Sequence, residues 1–168
     1  KEKCDTQTSL GHRNAKNPIL IETPVYITGM SYGALSRNAK IALAKGAAMM
    51  GTATCTGDGG MLPEERQYST NMIFQLNPSR YGVDPHDIVS ADGIEIVIGQ
   101  GAKPGTGGLL MGQKVSETIG MKRDLPTGID QRSATRHPEW IGADDLSIFI
   151  ETMRELTDWK VPIQIKLP

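Results

Sequence analysis

Aromatic residues make up only 5% of this 168-residue chain: two Phe, two Trp and four Tyr. Any core has to be assembled from aliphatics, alanine and the eight methionines. Cysteine is scarcer still. Cys4 and Cys55 stand far apart and form no C-x-x-C pair, so this segment by itself encodes neither a disulfide framework nor a zinc or iron–sulfur site. A reducing, cytoplasmic setting is the expected location. Charge of one sign is also missing: the net charge is -1 and the pI about 6.3, which excludes a basic-patch binder, so neither nucleic acid nor an anionic membrane is an expected partner. No apolar run approaches the roughly 18 residues of a membrane span, and no charged-then-apolar leader opens the chain. The sequence starts at Lys1 and stops at Pro168, directly after the apolar stretch 161–167. Both ends are expected to be cut.

What is present is an ordinary globular composition, 38% hydrophobic with 19 glycines, at a length suited to one domain. Residues 1–23 show no periodicity and read as an irregular lead-in. From residue 24 to 168 the pattern alternates. Residues 24–28 form a short β-branched strand ending at Gly29, and Ser36 caps a helix over 37–50 that Gly51 stops. Strands are predicted at 52–56 and 71–76. Asp84-Pro85 opens a short helix through Ser90, and 94–98 is the clearest strand. A helix over 113–122, a polar loop over 124–142, a helix from Asp144 or Asp145 to Leu156 and a strand over 161–167 complete the reading. Such alternation predicts an α/β fold with a parallel sheet and crossover helices, either an open doubly wound sheet or part of a (β/α)8 barrel. In both, ligands sit at the carboxyl ends of the strands, where this chain concentrates its glycines.

Three strand ends carry glycine-rich loops: Gly29-Met30-Ser31-Tyr32-Gly33, Thr56-Gly57-Asp58-Gly59-Gly60 and 99–108. Glycine lets backbone N–H groups converge and lets a flat or phosphorylated ligand approach closely, although each loop alone is equally explained as a tight turn. Gly99-x-Gly101 is followed by Lys103-Pro104-Gly105, so the dinucleotide spacing G-x-G-x-x-G fails, and no P-loop motif occurs. Lys103 is a cation in a loop that would normally be neutral, placed to stabilise a developing anion, against the plainer reading of a solvated lysine. Gln100 offers both donor and acceptor to a ring edge. Asp58 is suited to accept protons or position an amine, or simply to cap the next turn. Cys55 reads as a small buried strand residue. His12, His86 and His137 have no metal spacing and read as structural or solvated. Arg132 and Arg136, in a loop dense in polar groups, belong either to a carboxylate-binding lid or to an exposed excursion.

Taken together, Gly29-Met30-Ser31-Tyr32-Gly33-Ala34-Leu35-Ser36, Thr56-Gly57-Asp58-Gly59-Gly60, Ser79-Arg80-Tyr81-Gly82-Val83 and Gly99-Gln100-Gly101-Ala102-Lys103-Pro104-Gly105 resemble, in order, the FMN-binding synthase domain of the glutamate synthase family. Within it, Asp130-Gln131-Arg132-Ser133 and Arg136-His137-Pro138 are most similar to the large subunit of methylamine–glutamate N-methyltransferase, or N-methylglutamate synthase. The resemblance implies a (β/α)8 barrel, of which this chain is the N-terminal half since a whole barrel takes about 250 residues. It implies FMN, amine addition to 2-oxoglutarate, and hydride reduction of the imine to glutamate or N-methylglutamate. It implies flavin contacts at Met30, Ser31, Thr56, Gly57, Gln75, Gln100 and Lys103, substrate contacts at Gln100 and Lys103, and catalytic roles for Lys103 and Asp58, with no metal ligand in this chain. Arg80 matches a family arginine of unassigned role. Asp58 replaces the usual glutamate and Leu109 the usual glutamine, departures that favour methylamine over ammonia. A 3Fe–4S cluster, a glutaminase-type partner supplying ammonia and an electron-donor subunit or domain are expected from outside the chain, in an oligomer. The competing reading is a non-catalytic fragment or split subunit that needs a complementary half-barrel. A flavin enzyme of 2-hydroxy acids is disfavoured because its His–Arg pair is not visible.

Overall fold

The computed structural model describes residues 4–102 and 108–168. Its centre is a four-stranded parallel sheet of strands β3 (Ala53–Cys55), β4 (Asn71–Leu76), β5 (Gly93–Val97) and β8 (Ile163–Lys166), in that order. Helices α1 (Arg37–Met49), α2 (Pro63–Tyr68), α3 (Pro85–Ser90), α4 (Glu117–Arg123) and α5 (Ala143–Leu156) lie between the strands in sequence. Each helix start follows local chemistry. The Ser36 hydroxyl accepts from Ala39 N–H at 3.2 Å, Asp84 accepts from His86 N–H at 2.8 Å ahead of Pro85, and Ser116 accepts from Ile119 N–H at 3.4 Å. That last cap starts α4 later than the predicted residue 113, and Gly112–Lys114 is a 3-10 turn instead. Helix α2 was not foreseen, although Pro63 at its first turn beside Glu64 and Glu65 is an N-terminal signature.

Three further expectations need correction. The lead-in 1–23 is not irregular throughout: β1 (Thr8–Leu10) and β2 (Ile19–Ile21) form an antiparallel hairpin. The buried Ile19 and Ile21 pack on Ala53, Cys55 and Ile73, so the hairpin closes the amino-terminal ends of the strands. Residues 24–28 pair with β3 at one point, where Ile27 N–H donates to Ala53 O and Ile27 O accepts from Cys55 N–H. Pro24 has no N–H to give and Val25 N–H goes to Thr23 O, so the run does not extend into a full ladder. The polar loop 124–142 contains β7 (Gln131–Arg132), paired antiparallel to β6 (Leu109–Leu110).

Register divides the sheet into two faces. Met72, Phe74, Leu76, Ile94 and Ile96 point outward into one apolar cluster with Ile88, Phe149 and Met153 of the flanking helices. Cys55, Gln75, Glu95 and Gln164 share the other face, with Gln75 opposite Glu95 and Glu95 opposite Gln164. Among the described residues, no helix is long and apolar enough to cross a membrane.

Candidate functional site

The loops at the carboxyl ends of the strands enclose a cavity of about 250 Å³. Gly29, Met30, Ser31, Ala34 and Leu35 line it from the first loop, Asp58 from the second, Gln75 and Pro78 from the end of β4, and Val97, Ile98, Gly99 and Gln100 from the end of β5. Gly108 and Ser133, flanking the β6–β7 pair, complete the wall. Of the residues singled out in the sequence, Met30, Ser31, Asp58, Gln75 and Gln100 are thus brought together. Thr56 and Gly57 lie beneath the lining. The Thr56 hydroxyl accepts from Gln75 N–H at 3.0 Å, and Gly57, at φ +69°, touches the backbone of Met30 and Ser31 so closely that a Cβ would stand 2.6 Å from Met30 C. Only glycine permits that contact. Lys103 falls outside the described residues.

The sequence did not reveal what holds these two loops together. Lys40 of α1 is 1% exposed. Its ammonium donates to Met30 O at 2.9 Å and Thr56 O at 2.5 Å, and pairs with Glu65 Oε1 of α2 at 2.7 Å. All three donors of the ammonium are satisfied. Burial pushes the Glu65 carboxyl up, against the pull of Lys40. A detectable signal existed: Lys40 shares a helix stripe with the buried Ala44 and Ala47, where a lysine is out of place.

Below the cavity lies a second polar group. Glu95 is 2% exposed. Its Oε2 accepts from Gln164 Nε2 at 2.7 Å and from the Tyr26 hydroxyl at 3.1 Å, and its Oε1 accepts from Gln75 Nε2 at 2.5 Å. Cys55 Sγ is 3.8 Å and Lys166 Nζ 3.9 Å from the same Oε1. Burial, reinforced by the Glu95 charge, pushes the Tyr26 hydroxyl up to about 12. The same two causes, burial first, push the Cys55 thiol up, so Cys55 remains a thiol, and it is buried in β3 as its strand position predicted.

A smaller recess of about 140 Å³ adjoins the cavity and shares Ser31, Ala34, Asp58 and Gly108 with it. Tyr81, Leu109, Leu110 and Arg123 complete it. Arg123 is buried, donates to Tyr32 O at 2.8 Å and to Gln131 Oε1 at 3.1 Å, and lies 5.2 Å from the Tyr81 ring centre. Burial lowers its guanidinium, and Tyr81 and then the charge of Asp58 oppose this. Arg132 and Arg136 are exposed, and Arg80, at φ +64°, pairs with Glu139. His86 is exposed, whereas His137 is buried, stacks on Trp140 at 4.0 Å and bonds Val97 O through Nε2 at 2.6 Å. That bond tethers the end of β5, which lines the cavity.

The sequence profile described as a conserved region in glutamate synthase matches residues 2–168. The chain belongs to the glutamate synthase family. It is 57% identical over 167 residues to a glutamate synthase large subunit-like protein of Rhizobium meliloti, covering 99% of this chain and 38% of that protein. It is 42% identical over 149 residues to an archaeal glutamate synthase (NADPH) of Archaeoglobus fulgidus, covering 89% of this chain and 29% of that one. The chain therefore spans about three to four tenths of the length of these curated relatives. Among solved structures, a mandelate oxidase mutant with the C4a-OH-FMN adduct superposes with a TM-score of 0.51 at 17% identity, over 97% of this chain and 45% of that one. The fold is accordingly α/β and consistent with part of a (β/α)8 barrel, with the site at the rim where such barrels bind ligands.

Proposed function

We propose that the full-length protein is an FMN-dependent oxidoreductase of the glutamate synthase type, adding an amine to 2-oxoglutarate and reducing the resulting imine. The observation that carries this reading is the convergence of Met30, Ser31, Asp58, Gln75 and Gln100 on one cavity at the strand ends of a glutamate synthase-family chain. The donor set fits the ring portion of FMN. Gly29, Gly99 and Gly108 in the lining leave room for a flat ring, Met30, Leu35, Pro78 and Ile98 offer apolar faces, and Ser31, Gln75 and Gln100 offer polar edges. When bound there, FMN would supply the hydride chemistry.

The chain's own residues do the rest. Lys40 holds the Met30 and Thr56 carbonyls, so the two loops keep a fixed spacing. Asp58 stands between the cavity and the smaller recess, placed to hold an incoming amine, and Leu109 gives that recess an apolar wall. An apolar wall beside a carboxylate suits methylamine, so N-methylglutamate is the product proposed here. Lys103, which follows β5 in the sequence, is assigned the anionic substrate or ring edge. The 3Fe–4S cluster, the electron donor and any glutaminase are assigned to parts of the protein outside this chain. Among the described residues, no group of three or more potential ligands forms a metal site.

The test uses the full-length protein. A flavin absorption spectrum that weakens on Lys103→Ala supports FMN binding at this rim; a protein that takes up no FMN at saturating concentration overturns it. Steady-state rates with 2-oxoglutarate then compare methylamine with ammonia, and a preference for ammonia overturns the methylamine assignment.

A further inference from the structure

We propose that Glu95 is a positioning residue that turns the Gln75 amide so that its carbonyl oxygen, and not its NH2 group, faces the cavity. A glutamine at the rim of a site is ambiguous, because its side chain offers a donor or an acceptor according to which way the amide is flipped. Here the choice is settled from behind. Glu95 Oε1 lies 2.5 Å from the Gln75 amide, and a carboxylate has no hydrogen to give. Only the orientation with Nε2 toward Glu95 makes a hydrogen bond; the reverse would force two oxygens together.

The state of Glu95 follows from its neighbours. Gln75, Gln164, Tyr26, Cys55 and Lys166 all present hydrogens to it. Nothing in that set needs a hydrogen from Glu95, so both its oxygens serve as acceptors. Cys55, the other neighbour of Gln75 Nε2 at 3.9 Å, keeps its proton. Gln75 is held further by its own backbone, whose N–H donates to Thr56 Oγ1 at 3.0 Å, and Gly29 leaves room for the amide, since a Cβ there would stand 2.6 Å from Nε2. Among the described residues, every hydrogen bond of this amide runs from Nε2. Oε1 is the atom left for a ligand.

The consequence is selectivity. A cavity edge fixed as an acceptor favours a ligand that brings an N–H, such as the imide of a flat heterocycle, and penalises one that brings a carbonyl there. Glu95 touches no ligand in this scheme; it acts through Gln75. The link to FMN rests on the flavin reading above, whereas the amide orientation does not.

Two measurements on the full-length protein separate the two. In protein labelled with 15N-glutamine, without flavin, the Gln75 side-chain NH2 resonance, assigned by its loss in Gln75→Leu, is expected to be shifted downfield and slow to exchange. It should return toward free-amide values in Glu95→Gln. A wild-type resonance with free-amide shift and fast exchange overturns the proposal, even if Glu95→Gln fails to fold. In the second measurement, wild type is expected to bind FMN at least about tenfold tighter than N3-methyl-FMN, which lacks the imide N–H. Glu95→Gln, whose own amide can satisfy either orientation of Gln75, should reduce that ratio to about twofold; a general loss of structure would weaken both ligands alike. An unchanged ratio in folded Glu95→Gln overturns the proposal. If wild type binds neither flavin, the flavin reading fails and the amide resonance alone decides the role of Glu95.

Discussion

The two faces of the parallel sheet are built from alternate residues of the same strands, yet they follow opposite rules. The outward face of β4 and β5 is Met72, Phe74, Leu76, Ile94 and Ile96, each completely removed from water and packed on helices. The inward face of the same strands carries Gln75 and Glu95, also buried but engaged in hydrogen bonds rather than apolar contact. Burying Phe or Ile is favourable by itself. Burying an amide and a carboxylate is tolerable only when every polar atom finds a partner. Stability resides on the outward face, and the inward face gives some of it up for a defined polar surface under the cavity.

Substitutions can break this contrast. The largest stability loss is expected from Phe74→Ala, about 3–5 kcal/mol, read as a fall in the urea midpoint of the full-length protein and as faster hydrogen exchange in β4 and β5. Lys40→Met comes next. It leaves Glu65 buried without its partner, at a cost of about 3 kcal/mol, and frees the Met30 and Thr56 carbonyls, so flavin affinity should fall together with the melting temperature. Lys40→Arg recovering both in full would show that charge alone matters there, not the three-way geometry. On the inward face, Gln164→Leu removes one donor from Glu95 and should cost only about 1 kcal/mol; a loss as large as that of Phe74→Ala would erase the distinction between the faces.

A smaller, pH-dependent effect is expected at His137. Burial holds its imidazole below the ordinary value of 6.5, so the unfolded chain binds the extra proton first. The stabilising contribution of neutral His137 is therefore complete above pH 6.5 and lost as the pH falls from there toward the lowered folded value. Melting curves between pH 7.5 and 5 should show a decline that His137→Phe reduces; an equal decline in both would assign it to other groups. The smallest effect belongs to Lys16→Ala. Its pair with Asp158 is open to water, and the loss should stay below about 0.5 kcal/mol.

The regular elements were legible where the signal is local. Ser36, Asp84-Pro85 and the stop at Gly51 mark helix ends within a few residues, and the β-branched runs at β3 and β5 and the apolar run at β4 announce strands. The hairpin β1–β2 and the pair β6–β7 were not legible, because strands of two or three residues carry no period and exist only through their partners. Asp58 and Gln100 could be named from their glycine-rich loops because strand ends in such folds converge, whereas Met30, Ser31 and Gln75 were named through the family resemblance of their motifs. Lys40, Glu65, Glu95, Gln164 and Arg123 could not. Glu95 meets Tyr26 and Gln164, each 69 residues away, and no window of sequence contains such a contact.

The sequence by itself determined the alternation of strands and helices, the parallel character of the sheet and the clustering of glycines at one rim. These follow from side-chain period, capping and turn chemistry, which act over a few residues. Only the tertiary structure decided which charges are buried, that Lys40 joins two loops, and that Glu95 leaves Gln75 an acceptor toward the cavity. The physical reason is that burial and hydrogen-bond partnership depend on distances the chain closes only when its strands register side by side.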